Sequence, residues 1–232
     1  MNRVIKFQER ISYRFNDMDT ARTALTHSSY ANERKGKNIS YNERLEFLGD
    51  SVLGIVVSDY IFKECPNRPE GELTKLRATI VCEGALAIGA REAELGKYLY
   101  LGKGEEYTGG RNRDSVLADA FEAVIGALYL DGGIEHSRDF IFKYLGGVIG
   151  RALSGEDLFK DYKTQLQELL QRDSSVKIEY RLEREDGPDH SKLFYTGVYV
   201  DDDLKGIGSG KSKKESEQNA AKEALSKESE DE

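Results

Sequence analysis

The segment from Asn42 to Val57 constrains the fold most, because it sets carboxylates inside a run that is otherwise close to continuously apolar. It reads Asn42-Glu43-Arg44-Leu45-Glu46-Phe47-Leu48-Gly49-Asp50-Ser51, followed by Val52-Leu53-Gly54-Ile55-Val56-Val57. At about 100° per residue, Glu43, Glu46 and Asp50 fall within about 60° of one another on a helix. Leu45, Phe47, Leu48, Val52, Leu53 and Val56 occupy almost every other direction. A helix that is apolar nearly all round is expected to be buried. Asp119 and Glu122, three residues apart, repeat the arrangement in the apolar run from Val116 to Ile125.

Taking an ion out of water costs several kcal/mol unless something compensates it. Arg44 is the one cation within the two segments, against five acids. Like charges held together raise each other's pKa unless a metal keeps them ionised. Oxygen-only donors favour Mg2+, with Mn2+ as a substitute, over zinc. His27, His136 and His190 stand at no metal-pair spacing. The competing reading, acids on a solvated helix face, fits poorly with apolar residues crowding both segments.

A chain of 232 residues has room for one large domain and a small one. No stretch approaches the roughly 18 uninterrupted apolar residues of a membrane helix. Arg3, Lys6, Glu9 and Arg10 interrupt the N-terminus, which leaves no apolar core for a secretory signal. Cys65 and Cys82 lie at no metal or redox spacing, so a reducing, cytoplasmic setting is expected. The formal charge of −8 weighs against a nucleic-acid partner, but binding needs only a local basic face.

Residues 1–153 read as helix after helix. Val4, Phe7 and Ile11 share a helical face, and Leu73, Leu76, Ile80, Leu86 and Ile88 predict one long segment. Val116, Ala120, Val124 and Leu128 predict another helix, closed by Gly132-Gly133. Residues 154–158 read as a linker, and the period then changes. Asp161 to Gln171 is amphipathic, with Tyr162, Leu166, Leu169 and Leu170 on one face. Val176–Glu183, Leu193–Val200 and Leu204–Gly208 read as strands, divided by Gly187-Pro188 and Asp201-Asp202. A last helix is expected from Ser212, with Glu215 at capping-box spacing, to about Leu225. The expected fold class is a mainly α N-terminal domain plus a small α+β domain of order α-β-β-β-α over residues 159–226. Residues 227–232 read as an acidic, disordered tail.

The stretch Asn42-Glu-Arg-Leu-Glu-Phe-Leu-Gly-Asp50-Ser51 resembles the signature of the ribonuclease III family. Ala24-Leu25-Thr26-His27-Ser28, Glu70-Gly71-Glu72-Leu73-Thr74 with Leu76-Arg77-Ala78, and Leu117-Ala118-Asp119-Ala120-Phe121-Glu122-Ala123 agree in the same order. The resemblance implies a homodimeric endonuclease of double-stranded RNA, with one cutting site per subunit. It implies Mg2+ held by Glu46, Asp50, Asp119 and Glu122, with Asp50 and Glu122 catalytic and Glu43 and Glu70 as supporting acids. It further implies products with 5′-phosphates, 3′-hydroxyls and short 3′ overhangs, and a role in processing ribosomal, messenger and other structured RNA precursors. His27 matches a family position too, and reads as a packed, hydrogen-bonded histidine.

The C-terminal region resembles a double-stranded RNA-binding domain. Thr164, Gln167, Glu168 and Gln171 lie opposite the apolar face of its first helix, at spacings that suit 2′-hydroxyls in a shallow minor groove. His190, in the turn after Gly187-Pro188, matches the loop that enters a second minor groove. Lys211, Lys213 and Lys214 surround the start of the last helix, where the helix dipole already favours phosphate. From Lys160 to Glu223 acids outnumber bases by fourteen to twelve, so one local face must do the binding. Ser216 stands where alanine is common in the family. Two other readings stay open: a non-catalytic RNA binder, and a carboxylate-bridged di-iron oxidase, which would lack its usual Glu-x-x-His ligands.

Overall fold

The computed structural model describes residues 3–34, 36, 38–156, 158, 162–170, 176–188 and 192–228. The chain divides into two units, Met1–Phe159 and Lys160–Glu232. The first is built from helices α1 (Arg3–Ile11), α2 (Met18–Ala24), α3 (Ser28–Asn32), α4 (Glu43–Glu64), α5 (Glu70–Val81), α6 (Glu83–Glu92), α7 (Lys103–Tyr107), α8 (Asp114–Gly132) and α9 (Ile134–Leu153). The predicted single segment from Leu73 to Ile88 is two helices. Cys82 takes an extended conformation between α5 and α6, which lets Ile80 and Leu86 both reach the core and leaves Ile88 at the surface.

Helix α8 is the axis of this unit. Its Val116, Leu117, Phe121 and the run Ala123–Leu128 are all buried. Its main partner is α4, and glycine sets their separation. A methyl group on Gly49 would sit 1.8 Å from the Glu122 carbonyl oxygen, and one on Gly126 would sit 2.3 Å from the Leu45 carbonyl oxygen. Each helix therefore offers bare backbone where the other's backbone passes, and α4 and α8 approach more closely than side chains would permit.

The expectation that α4 is buried all round requires correction. Leu45, Gly49, Val52, Leu53, Val56, Val57 and Ile61 are buried against the core. Phe47, Ile55 and Phe62, however, are 78%, 59% and 70% exposed. Helical spacing gathers these three within roughly 80° of arc, on a stripe facing away from α8. An all-round apolar helix needs cover on both sides, and this unit supplies cover on one.

In the second unit, α10 (Tyr162–Leu170) and α11 (Lys213–Glu228) accompany an antiparallel sheet of order β1 (Ile178–Asp186), β2 (Leu193–Val200) and β3 (Asp203–Gly210). Strand β1 starts and ends later than predicted and carries a register shift between Leu182 and Arg184. Asp201 and Asp202 both adopt positive φ, 49° and 68°, the geometry of a tight two-residue hairpin between β2 and β3. That acidic run is thus turn chemistry. Helix α11 lies directly on β3, where a methyl group on Gly208 would meet the Ala220 amide nitrogen at 2.1 Å. Leu166, Val198, Ala220, Ala221 and Ala224 form the small core. Leu169, predicted on the packed face of α10, is 36% exposed. Lys227 and Glu228 belong to α11 rather than to a tail, and 229–232 lie outside the described residues.

Candidate active site

The crossing of α4 and α8 brings four of the predicted acids into one electrostatic cluster. Glu122 is half-buried, and its carboxyl is pushed up to about 8, by burial first and then by Asp50, Glu46 and Asp119. Glu46 is raised by burial and by Asp119, Glu43 and Asp50. Asp119 is raised by burial and by Glu83 and Glu43, with His27 pulling the other way. No hydrogen bond reaches the side chains of Glu46, Asp50, Asp119 or Glu122 among the described residues. Structural acids of the same unit behave oppositely. The Glu33 carboxylate accepts the Lys103 and Gly104 amides and is held below its usual range. Asp17 is lowered in the same way by Thr20 and the Asp19 amide. Raised acids that share charge and make no hydrogen bond are the mark of a site rather than of a scaffold.

The donor set fits a hard divalent cation: carboxylate oxygens only, with no lysine or arginine among the charges acting on Glu46 or Glu122. Among the described residues, no three His, Cys, Asp or Glu side chains converge into a ready-made metal site. The coupling and the lack of convergence are compatible. Like charges repel, so neighbouring carboxylates keep their oxygens apart unless a cation draws them together.

Other predicted acids stand at different distances from this cluster. Glu43 is solvent-exposed at the start of α4, yet its charge reaches both Glu46 and Asp119. Glu70 is exposed on α5, accepts the Thr74 hydroxyl at 2.8 Å, and does not figure among the charges acting on the cluster. Glu83, which acts on Asp119, was missed by sequence reasoning because its own helix carries no acid pattern. Gly49 and Gly126 stand as glycines inside apolar helices, the sequence signal of a packing reason for bare backbone.

In the small unit, Thr164, Gln167 and Glu168 are exposed along α10, and Lys211, Lys213 and Lys214 are exposed at the start of α11. Ser212 caps the helix as expected, its hydroxyl accepting the Glu215 amide at 3.2 Å, while the Glu215 carboxylate reaches one residue further back than a capping box would and accepts the Lys211 amide at 2.6 Å. Lys213 shares its charge with Glu185 at 3.8 Å. Gln171 and His190 lie outside the described residues. Ser216 is buried and pairs with the buried Thr196 hydroxyl at 2.7 Å. A serine in place of alanine is thereby satisfied, and it fastens α11 to β2.

The family model described as Ribonuclease-III-like matches residues 17–148. Relatives called Ribonuclease 3 agree along nearly the whole chain. That of Caldanaerobacter subterraneus subsp. tengcongensis is 54% identical over 220 residues, covering 95% of this chain and 96% of the relative. The chain belongs to the ribonuclease III family. It is accordingly an enzyme of the ribonuclease III type, and the Clostridium tetani relative, 51% identical over 94% of this chain and 92% of its own, agrees. The double-stranded RNA binding motif matches residues 162–228, the span of the small unit. A solved structure of the nuclease domain of Campylobacter jejuni ribonuclease III superposes with a TM-score of 0.57 at 38% identity. The match covers 62% of this chain and 96% of that one, a domain described for structural flexibility in a region involved in dimer formation. No helix among the described residues is long and apolar enough to cross a membrane.

Proposed function

We propose that this ribonuclease III acts as a cytoplasmic homodimer that hydrolyses phosphodiester bonds of double-stranded RNA with Mg2+, or Mn2+ in its place. The products would be duplexes with 5′-phosphates, 3′-hydroxyls and short 3′ overhangs, and the substrates would include ribosomal and other structured precursors. One observation carries the reading: a single chain joins an unneutralised carboxylate cluster to a double-stranded RNA-binding fold. Glu46, Asp50, Asp119 and Glu122 would hold the metal, which supplies Lewis-acid stabilisation of charge on the phosphate. Asp50 and Glu122 are assigned as catalytic and Glu43 as a supporting acid of the cluster. Glu70, outside the cluster within one chain, is left a supporting role in the dimer.

The chain's own contribution is positioning. Backbone contact at Gly49 and Gly126 holds the two acid-bearing helices at fixed separation, which would keep the carboxylates of α4 in register with those of α8. Thr164, Gln167 and Glu168, with Gln171 and His190, would read duplex shape through 2′-hydroxyls, while Lys211, Lys213 and Lys214 hold the phosphates. The protein incubated with a long perfect RNA duplex and Mg2+ is expected to release short duplexes. EDTA stops the reaction and added Mn2+ restores it. Absence of short products across low salt and a range of metal concentrations would sink the reading.

The exposed stripe of Phe47, Ile55 and Phe62 supports self-association. Beside it, a hollow of about 750 Å3 is lined by Tyr41, Phe47, Leu48 and Leu130 among others. Phe47→Asp is expected to turn a dimer into a monomer by light scattering at micromolar concentration. Losing two buried phenylalanines per dimer, at about 1.5–3 kcal/mol each, predicts at least a hundredfold weaker association. An unchanged dimer mass would remove this face from the interface.

A further inference from the structure

Strand β3 is the last of its sheet and has one edge that no strand covers among the described residues. Helix α11 reaches round that edge with three polar side chains set four residues apart. The Asn219 amide donates to the Ser209 carbonyl at 2.8 Å, the Glu223 carboxylate accepts the Ile207 amide at 2.9 Å, and the Lys227 ammonium donates to the Lys205 carbonyl at 3.3 Å. Steps of four along the helix answer steps of two along the strand, in opposite directions. The lengths match, since four helical residues rise about 6 Å and two strand residues advance about 6.6 Å. Glycine makes the reach short enough. A methyl group on Gly206 would meet the Ala220 carbonyl oxygen at 2.5 Å, and one on Gly210 the Ser216 amide nitrogen at 2.6 Å, so α11 lies against bare strand backbone. Glu223 is the centre of the row: one carboxylate oxygen takes the Ile207 amide and the other pairs with Lys227 at 2.7 Å. None of the three side chains belongs to the small core, so packing there does not call for polar residues at this spacing.

We propose that Asn219, Glu223 and Lys227 form an edge guard, which keeps a second copy of this chain from adding its own β3 to the sheet. An uncovered edge strand is a template for another strand. The occupant it invites is the same strand of another copy, because antiparallel pairing of two identical strands about Ile207 is self-complementary and closes as a pair. Such pairing would also shelter Leu204 and Ile207, each 47% exposed. Several small units bound to one RNA duplex are held close together, which raises their effective concentration. The edge is thus most in need of closing where the chain meets RNA. Each guard contact occupies a backbone group that an added strand would use, and the small unit stays single.

The full-length triple variant Asn219→Ala, Glu223→Ala, Lys227→Ala is compared with Glu223→Ala, Glu223→Gln and wild type. The readouts are Tm, sedimentation from micromolar to near-millimolar concentration, and hydrogen exchange at the Ile207 amide. Alanine favours helix, so α11 is expected to persist in each variant. Glu223→Ala should speed exchange at Ile207 by about tenfold or more, the loss of one charge-assisted hydrogen bond. Glu223→Gln keeps an acceptor oxygen at the same reach and should stay within about threefold of wild type. The triple variant should approach about twice the wild-type mass at the highest concentration. Adding Ile207→Lys to it should return the wild-type mass, because like charges would then face each other across the new pair. A folded triple variant with wild-type mass at every concentration would reduce the three contacts to packing and overturn the proposal. Extra mass that Ile207→Lys does not remove would overturn it too, since the association would run through another surface. Glu223→Ala, a single change, carries both sedimentation tests if the triple variant fails to fold.

Discussion

Glu122→Gln is expected to abolish duplex cleavage while making the metal-free protein more stable. The substitution keeps the shape of the side chain and removes the charge that burial and three neighbouring acids oppose. Loss of one ligand charge from a metal site that supplies several kcal/mol of stabilisation predicts a fall in kcat of about a thousandfold or more. RNA binding through the small unit should change little. The stability effect follows from linkage. A carboxyl raised to about 8 keeps its proton in the folded state at pH values where the unfolded chain has lost it. Its contribution is therefore fully present below about pH 4.5 and is lost as pH rises through 8. The full separation corresponds to about 5 kcal/mol, but the group is half-buried and water-screened, and about 2 kcal/mol is the expected size. In EDTA, the Tm of Glu122→Gln should exceed that of wild type by a margin that widens from pH 5 to pH 9. Mg2+ titration of wild type at pH 7 should release close to one proton. A margin that shrinks with rising pH would contradict the assignment.

Gly49→Ala is expected to be among the most destabilising single-methyl changes in the chain. Its Cβ would lie 1.8 Å from a backbone oxygen of α8, which no rotamer change can relieve, so α4 and α8 must move apart. Overpacking of this kind costs about 3 kcal/mol, more where backbone has to shift. A displacement of one ångström between helices that carry the two halves of a site can also cost about a hundredfold in rate. Gly147, exposed on α9 with nothing within 4 Å of a Cβ, is the internal control. Gly147→Ala should be neutral or stabilise by up to about 1 kcal/mol, the ordinary helix preference. Thermal melts of both variants, with cleavage rates for Gly49→Ala, test the crossing. Equal Tm values for the two would refute the close-packed geometry.

Much of this was legible without coordinates because it rests on local periodicity. The acids of α4 and α8 share faces by helical spacing alone, and Ser212 with Glu215 announces the start of α11. The two-residue turn at Asp201-Asp202 and the change of period after residue 158 are equally local signals. Boundaries were less legible. Cys82 divides one predicted helix into two, and no residue type at that point demands it; the break lets both halves bury their apolar faces. Leu169 matches the apolar face of α10 by spacing, yet the small core has no partner for it.

Burial was the least legible property. The apolar run from Leu45 to Val57 suggested a helix enclosed on all sides, but one face of α4 meets α8 and the other presents Phe47 and Ile55 to the surface. Hydrophobicity is a property of a residue, whereas cover is a property of what the rest of the fold brings to it. The acids themselves obey the same division. Residue type and spacing determined that five carboxylates would lie on two helices and that oxygen donors would call for a hard cation. Which of them interact was decided by the crossing of α4 and α8, where Gly49 and Gly126 let backbones touch. That contact puts Glu122 among the charges of Asp50, Glu46 and Asp119, brings in Glu83 and His27 from elsewhere in the chain, and leaves Glu70 outside. Electrostatic coupling depends on distance through space, and only the tertiary structure sets that distance.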